Sequence, residues 1–366
     1  MAQHKLLIPG PVDMEDDVLS ALGSQAVPHY GPEWARMYNA TVDGLRQIFG
    51  TQGDVYPIVG SGSAGLDAAI GTMFSAGQRI AIVRNGYFGT RLYDIATAYG
   101  LEVISIACAW GRAVTVEAVR SAMDAAGHCD GIALVHAETS TGVLNPVAEI
   151  AALAQERGIP IIVDAITAIG GAAIRIDDWG IDICVGASQK ALAAPAGFAL
   201  VAVSQKGWRA IDAQPQRPGS WYLNLRTWRR YALEDHDYHP HPVTIPTSAM
   251  RALNLRVHQI IDQGIDLHLG RYVQASQRFR SGAHAIGLQT LVPESEAVAV
   301  VTPVIVPEGV DARQAILGLR ERHGLLTSGG LGELQGRIIR IGHMGKAASD
   351  EYVDAALRGL ADVLLD

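Results

Sequence analysis

Short apolar runs alternate with longer amphipathic stretches between about residues 50 and 205. The stretches, such as SAGLDAAIGTMF and PVAEIAALAQERG, carry apolar residues at helical spacing. Runs without polar alternation are typical of strands that are buried on both faces. The pattern predicts a doubly wound α/β domain with a mostly parallel sheet, whose strands are VYPIVG, RIAIVRNG, EVISIA, GIALVHAE, IPIIVDA, DICVGA and GFALVAV. Ligands of such sheets bind at the carboxyl ends of the strands.

The pattern changes after the last of these strands. Residues 214–246 are aromatic, basic and rich in proline, which predicts an irregular excursion at a subunit contact. Helices are then predicted around residues 248–264 and 266–286, followed by a strand, a helix, a strand and a final helix. We therefore predict a large domain over residues 1–250 and a smaller α+β domain over residues 251–366.

Composition narrows the classes of partner. The net charge of the 366 residues is −8 with no basic run, which argues against a nucleic-acid partner. The run ICVGASQKALAAPAGFALVAV is long enough for a membrane span of roughly 20 residues, but Gln189, Lys190 and Pro195 lie near its middle. Scattered cysteines and an N-terminus without a signal-like apolar segment predict a reduced, cytoplasmic protein that acts on small molecules.

The sequence GSGSAG, residues 60–65, follows the first predicted strand and opens a helix. Backbone N–H groups at a helix N-terminus bind anions, and Ser61 and Ser63 add hydroxyl groups. A phosphate site is one interpretation, and a tight turn without a ligand is another. The match to GxGxxG leaves a third, an NADP-dependent oxidoreductase, because Arg84 stands near the position where NAD-binding proteins carry an acid.

Five further residues, two of them alternatives to each other, stand at positions where chemistry is expected. Asp164 closes an apolar strand, so its carboxylate needs a partner, either a helix N-terminus, an arginine or a protonated ring nitrogen. Lys190 lies in apolar surroundings that favour a neutral, nucleophilic amine, although a structural lysine is the plainer interpretation. In NGYFG, residues 85–89, Tyr87 or Phe88 is suited to stack on a planar ring or to fill the core. Arg340 is suited to bind a carboxylate or to form an internal ion pair.

A cluster of histidines, HDYHPHP, invites a metal interpretation, but prolines surround it and no second acidic ligand group stands at metal spacing. We expect no metal there. The other signals combine around one ligand, because an anion-binding turn, a stacking aromatic, a strand-end acid and a lysine 26 residues beyond it all suit pyridoxal 5′-phosphate.

The chain also resembles the class V aminotransferases of fold type I, in the alanine/serine–glyoxylate (or –pyruvate) branch. The resemblance extends over almost the whole chain. It rests on PGP (9–11), GSGSAGLDAA (60–69), NGYFG (85–89), ETSTG (138–142), VDAITAIGG (163–171), SQKAL (188–192), SWYLNL (220–225) and RIGHMG (340–345). SQKAL together with the upstream VDA is the most specific of these motifs.

The resemblance implies a role for each matching residue. Lys190 resembles the lysine that forms a Schiff base with pyridoxal phosphate, and Asp164 the partner of its ring nitrogen. The other implied cofactor contacts are Ser61, Gly62, Ser63, Phe88, Thr139 and Gln189. Arg340 matches the arginine that binds the substrate carboxylate, and Gly10 lies in a loop that lines the substrate pocket. Residues 1–250 would thus form the domain that binds the cofactor.

The family also builds its active sites at a homodimer interface, where a neighbouring subunit supplies a Tyr and a Thr to the phosphate. Thr244 matches the Thr, whereas the Tyr position is occupied by His241. The implied reaction is a ping-pong transfer of an amino group from alanine or serine to glyoxylate or pyruvate. Related donors, namely ureidoglycine, aspartate or pyridoxamine, stay open as alternatives.

Overall fold

The computed structural model describes residues 4–214 and 219–365. Its strands are β1 Lys5–Leu6, β2 Asp54–Val59, β3 Arg79–Arg84, β4 Glu102–Ala107, β5 Gly131–Val135, β6 Ala137–Glu138, β7 Val143–Leu144, β8 Ile161–Asp164, β9 Ile183–Ala187, β10 Phe198–Val203, β11 Val301–Ile305, β12 Leu325–Leu326, β13 Ser328–Gly329 and β14 Ile338–Gly342.

Its helices are α1 Asp16–Leu22, α2 Pro32–Phe49, α3 Gly62–Met73, α4 Tyr87–Ala98, α5 Val116–Ala126, α6 Val147–Glu156, α7 Ile176–Trp179, α8 Gln205–Asp212, α9 Leu225–Glu234, α10 Thr247–Gln263, α11 Ile265–Ala285, α12 Ala312–His323 and α13 Asp350–Leu364. No helix in the described ranges is both long enough and apolar enough to cross a membrane.

One element contradicts the sequence prediction. Helix α9 lies within residues 214–246, where the composition indicated irregular chain, so that prediction is wrong for these ten residues. Trp228 of α9 is fully buried in the cluster that contains Leu66 of α3, and tertiary packing of this kind stabilises a helix that composition does not reveal. Residues 215–218 of the same segment lie outside the described residues.

The main sheet confirms the predicted fold class. Its seven strands run in the order β2-β10-β9-β8-β5-β3-β4. Neighbouring strands from β9 to β4 are parallel, whereas β10 is antiparallel to both β2 and β9. The strands in the middle are buried at every position, and the edge strand β4 is largely exposed or half-buried. The result is a doubly wound, mostly parallel sheet.

The position of β2 at the edge of the sheet argues against the oxidoreductase alternative. Dinucleotide-binding fingerprints follow a strand that is flanked by parallel neighbours. Here the glycine-rich turn follows β2, whose partner in the sheet is the antiparallel β10. The structure therefore does not support the NADP-dependent alternative.

Helices cover both faces of the main sheet. One hydrophobic cluster joins α2, α5, α6 and α10 to one face, and a second joins α3, α4, α8 and α9 to the other. Burial of apolar side chains on both sides provides the main stabilisation of such a sheet.

A third cluster forms around a smaller antiparallel sheet of order β11-β14-β13, packed by α11, α12 and α13. The N-terminal strand β1 pairs with β12 on this side of the molecule. Helix α10 packs instead on α1 and α2, with Leu253 and Val257 in the cluster of the main sheet. The division between residues 250 and 251 stays a prediction.

Candidate active site

A cavity of about 600 Å³ opens at the carboxyl edge of the main sheet. Strands β2, β3, β5, β8 and β9 all end at this edge, because β10 alone runs in the opposite direction. The cavity is lined by eight of the residues predicted from sequence, namely Ser61, Gly62, Ser63, Phe88, Thr139, Asp164, Gln189 and Lys190. The topology thus brings together side chains that are up to 129 positions apart, from 61 to 190.

Lys190 lies in a compact turn between β9 and β10. The amide of Ala193 donates to the Lys190 carbonyl at 2.8 Å, and Ala193 has a positive φ of 52°, a strained conformation for a residue with a side chain. The amine, Nζ, donates to the Pro9 carbonyl at 2.6 Å. Burial, with Arg340 as the next cause, lowers the pKa of Lys190 to about 8, so a larger share of the amine is neutral near neutral pH than for an ordinary lysine.

Gly10 lies directly over the lysine chain. Its φ is +96°, and a Cβ atom at this position would stand 2.3 Å from Cδ of Lys190. Any side chain at residue 10 would therefore displace the lysine or the segment that carries the Pro9 carbonyl. Contacts of this kind hold the N-terminal segment against Lys190. Gly10 itself is not among the residues that line the cavity, and its place in a substrate pocket stays a prediction.

Asp164 is the last residue of β8 and is 3% exposed. Its Oδ1 accepts a hydrogen bond from the Ile166 amide at 2.9 Å, and no arginine or lysine within the described residues forms an ion pair with it. Burial raises the pKa of Asp164 to about 7, although that hydrogen bond opposes the shift. The carboxyl group is thus held ready for a cationic partner from outside the chain.

The turn before α3 has the features of an anion site. Ser61 is the N-cap residue, and its side chain makes no capping bond to the helix. The first backbone N–H groups of α3 are therefore available, with the positive end of the helix dipole behind them. Gln189 lines the same cavity, and its buried Oε1 atom has no partner among the described residues, so the amide is free to turn toward a ligand.

Phe88 is held at the cavity by a buried acid that sequence reasoning missed. Glu138 is 0% exposed, and its Oε2 accepts from the amides of Phe88 and Gly89 at 3.1 and 3.0 Å. The carboxylate therefore caps the first turn of α4. Gly86 permits this approach, because a Cβ atom there would lie 2.4 Å from the Glu138 carboxyl carbon. The motif ETSTG marked this residue only by resemblance.

Arg340 lies in β14, which places it on the small sheet facing the cavity region. It is 7% exposed and donates from Nε to the Gly329 carbonyl at 2.9 Å and from Nη1 to the Thr139 carbonyl at 3.2 Å. No carboxylate within the described residues pairs with it, so the internal ion pair considered from sequence is not found. Burial lowers the pKa of Arg340 to about 10, which leaves the guanidinium charged at neutral pH.

Four predicted residues are not among those that line this cavity: Gly10 and Arg340, described above, and Thr244 and His241. Thr244 is exposed, just before α10. His241 is 0% exposed, accepts at Nε2 from Trp34 Nε1 at 2.8 Å, and donates from Nδ1 to the Val243 carbonyl at 2.7 Å. With both ring nitrogens bonded inside the single chain, His241 has no free ring N–H to donate to a phosphate.

The fold and the cavity together define a class of α/β proteins with a cavity at the carboxyl ends of the strands, lined by a helix N-terminus and a half-buried lysine. Comparisons with known proteins assign the family. A family model described as aminotransferase class-V matches residues 16–331, so the chain belongs to the class V aminotransferases.

Individual relatives agree with this assignment. The chain is 32% identical to an uncharacterised aminotransferase of Methanocaldococcus jannaschii, over 95% of this chain and 89% of the relative. It is 30% identical to the (S)-ureidoglycine–glyoxylate transaminase of Bacillus subtilis, over 98% of this chain and 90% of the relative. A crystal structure of alanine–glyoxylate aminotransferase from Nostoc sp. matches with a TM-score of 0.94 at 30% identity, covering 100% of this chain and 96% of the other.

Proposed function

We propose that this aminotransferase uses pyridoxal 5′-phosphate to move an amino group from alanine or serine to glyoxylate or pyruvate, with glyoxylate the preferred acceptor. One observation carries the proposal: the half-buried Lys190 and the buried Asp164, both with shifted pKa values, line one cavity together with the serine-rich turn of α3. The likeness to two proteins whose names include glyoxylate supports that acceptor.

The residues present fit the proposed cofactor. The turn at Ser61 and Ser63 would hold its phosphate, with the free amide of Gln189 beside it. Phe88 would stack on its ring, and Asp164 would bind its ring nitrogen. When bound, pyridoxal phosphate supplies an aldehyde that holds the substrate amine and a ring that draws electrons from the substrate's α-carbon.

Lys190 has two tasks in this proposal. Its amine would hold the aldehyde in the resting enzyme and, once the substrate amine has taken its place, act as general base at the α-carbon. The lowered pKa of about 8 suits both tasks, because a neutral amine is needed for each. The Pro9 carbonyl, 2.6 Å from Nζ, holds the free amine in place.

Asp164 and Arg340 would hold the two charged ends of the reacting system. A ring cation next to Asp164 would return the pKa of this carboxyl group toward its ordinary value, so the ionised acid and the protonated ring nitrogen stabilise each other. Arg340 uses Nε and Nη1 on backbone carbonyls, which fixes the guanidinium plane and leaves Nη2 for a carboxylate. Amino acid and 2-oxo acid share that carboxylate, so one arginine serves both halves of the reaction.

The same proposal includes the assembly and the location of the protein. We propose a homodimer in which Thr244, exposed in the single chain, reaches the phosphate of the neighbouring subunit. His241 has no part in that contact, because its ring is bonded to Trp34 and Val243. A cytoplasmic protein with a cofactor-binding domain over residues 1–250 and a small domain over residues 251–366 completes the proposal.

The first experiment is a titration of cofactor-free protein with pyridoxal 5′-phosphate, followed by visible absorption. We expect a coloured complex that L-alanine bleaches and glyoxylate restores. A protein that takes up no pyridoxal phosphate would contradict the proposal. Kinetics with L-alanine, L-serine, L-aspartate, ureidoglycine and pyridoxamine, each paired with glyoxylate or pyruvate, then decide the donor. We expect the highest kcat/KM for alanine or serine with glyoxylate, and a higher value for another donor selects that alternative.

A further inference from the structure

Arg91 brings a positive charge to the cavity that the sequence analysis did not consider. It lies on α4, three residues after Phe88, and it lines the same cavity as Lys190 and Asp164. Its Nη1 atom is 3.5 Å from the Ser63 hydroxyl. Its guanidinium carbon is 5.0 Å from the centre of the Phe88 ring and 5.4 Å from that of Tyr87.

This arginine differs from comparable arginines of the chain in its partners. Arg280 and Arg112 each form two-pronged contacts with a glutamate, at distances of 2.6 to 3.2 Å. Among residues 4–214 and 219–365, no carboxylate lies within ion-pair distance of Arg91. A half-buried guanidinium without a counter-ion, held between an aromatic ring and a serine, is suited to receive an anion from outside the chain.

The charge of a phosphate also calls for a cationic partner at this site. A helix N-terminus contributes about half a positive charge, and Ser61 and Ser63 are neutral. A phosphate monoester carries about −1.5 to −2 near pH 7. Burial is the main cause of the shifted pKa values of Lys190 and Asp164. The charge of Arg91 is a minor cause in both, which adds to the lowering at Lys190 and opposes the rise at Asp164. The cavity therefore holds an excess of positive charge on the side of the serine turn.

We propose that Arg91 is the counter-ion of the cofactor's phosphate and makes the protein select the 5′-phosphorylated form of pyridoxal over the unphosphorylated form. This inference rests on the proposed function, which assigned the phosphate to the α3 turn, Gln189 and Thr244 of a neighbouring subunit, and gave it no charged partner. The contact with the Phe88 ring holds the guanidinium in one orientation before the ligand arrives, so little side-chain freedom is lost on binding. Arg91 thereby links the group that holds the phosphate to the ring that stacks on the cofactor.

The test compares two ligands in two variants. Cofactor-free wild type, Arg91→Gln and the control Arg84→Gln are titrated with pyridoxal 5′-phosphate and with pyridoxal, by visible absorption. Arg84 is a matched control, because it also stacks on a tyrosine and bonds to a serine but does not line the cavity. We expect Arg91→Gln to weaken binding of the phosphorylated ligand by about 10- to 100-fold and to leave pyridoxal affinity unchanged. Arg84→Gln should change neither.

Inorganic phosphate gives a second measurement that does not depend on turnover. In wild type it should raise the affinity for pyridoxal by filling the phosphate site, and in Arg91→Gln it should not. Arg91→Lys, which keeps the charge without the planar stack, should fall between the two. Equal losses for both ligands, or no loss for either, would overturn the inference. A wild type that binds neither ligand would instead overturn the proposed function itself.

Discussion

Two buried aspartates lie at opposite ends of the strands of the main sheet, and they differ in their bonding partners. Asp182, just before β9 at the amino edge, accepts at Oδ2 from the Ile161 amide at 2.8 Å and from Lys206 Nζ at 3.1 Å. Asp164, at the carboxyl edge, has the Ile166 amide and no ion pair in the described chain. Burial raises the pKa of both, and Lys206 offsets the rise at Asp182. Asp182 thus has a cationic partner within the chain. Asp164 has none among the described residues, so its carboxylate can pair with a ligand.

The same contrast separates two buried arginines. Arg280, on α11, binds both oxygens of Glu294 at 2.6 Å. Arg340 is bonded to two backbone carbonyls and to no carboxylate of the described residues. Leaving a buried charge without a counter-ion costs free energy, so such groups are expected where a ligand supplies the partner. The comparison predicts that substituting a buried charge without an internal counter-ion lowers activity, whereas substituting one that is paired within the chain lowers stability.

The largest expected effect is the loss of activity on substitution of Lys190, with Lys206 as the structural comparison. Lys190→Ala should lower kcat with alanine and glyoxylate by ~10³-fold or more, because the group that holds the aldehyde and moves the proton is lost. Stability should be retained, since burial opposes the charge of Lys190. Lys206→Ala should keep full activity but lower the free energy of unfolding by about 1–3 kcal/mol, because Asp182 loses its cation. Steady-state kinetics and urea denaturation provide the two measurements. Full turnover by Lys190→Ala would remove the lysine from the mechanism.

A smaller effect is expected at the arginines. Arg340→Ala should raise the KM for both alanine and glyoxylate by about 10- to 100-fold, as expected for loss of a charge-assisted hydrogen bond to the shared carboxylate. Arg280→Ala should leave KM unchanged and lower the melting temperature instead, because Glu294 loses both of its bonds. An unchanged KM in Arg340→Ala would mean that another group binds the carboxylate.

Much of this contrast could be predicted from sequence, because strand ends are visible in it. The apolar runs that end at Asp164 and just before Lys190 were correctly predicted as strands, and parallel strands share one edge. The antiparallel β10 between β2 and β9 was not predicted, since an apolar run has no visible direction. Helix α9 was missed because its support, the burial of Trp228, comes from a distant part of the chain.

Residues of the site that the sequence analysis missed were missed for similar physical reasons. Arg91 lies in an amphipathic helix, where an arginine normally faces solvent, and only its spacing of three from Phe88 hinted at a shared face. Glu138 follows β5 in a motif that did not indicate burial. The role considered for His241 came from resemblance, while its bond to Trp34 joins residues 207 positions apart, which a single sequence does not display.

A third expected effect, on stability rather than on activity, is a change with pH at the two aspartates. The pKa of Asp164 is raised from an ordinary value near 3.8 to about 7, so the folded, cofactor-free protein holds this proton more tightly than the unfolded chain. The unfolding free energy contributed by Asp164 is therefore present in acid and is lost as pH rises from about 4 to 7. Asp164→Asn cannot lose that proton, so its stability relative to wild type should rise across this window by up to about 4 kcal/mol.

Asp182→Asn is the comparison variant for Asp164→Asn. Lys206 offsets the effect of burial on the pKa of Asp182, so Asp182→Asn should show a smaller rise relative to wild type over the same pH range. Urea denaturation of the cofactor-free proteins at pH 4.5, 6 and 8 measures both differences, and titrations common to all the proteins cancel. Addition of pyridoxal phosphate should flatten the pH dependence at Asp164 alone, because a ring cation would favour the ionised acid. Equal pH profiles for the two variants would show that the two edges of the sheet hold their carboxylates alike, and would remove the basis for assigning the ring nitrogen to Asp164.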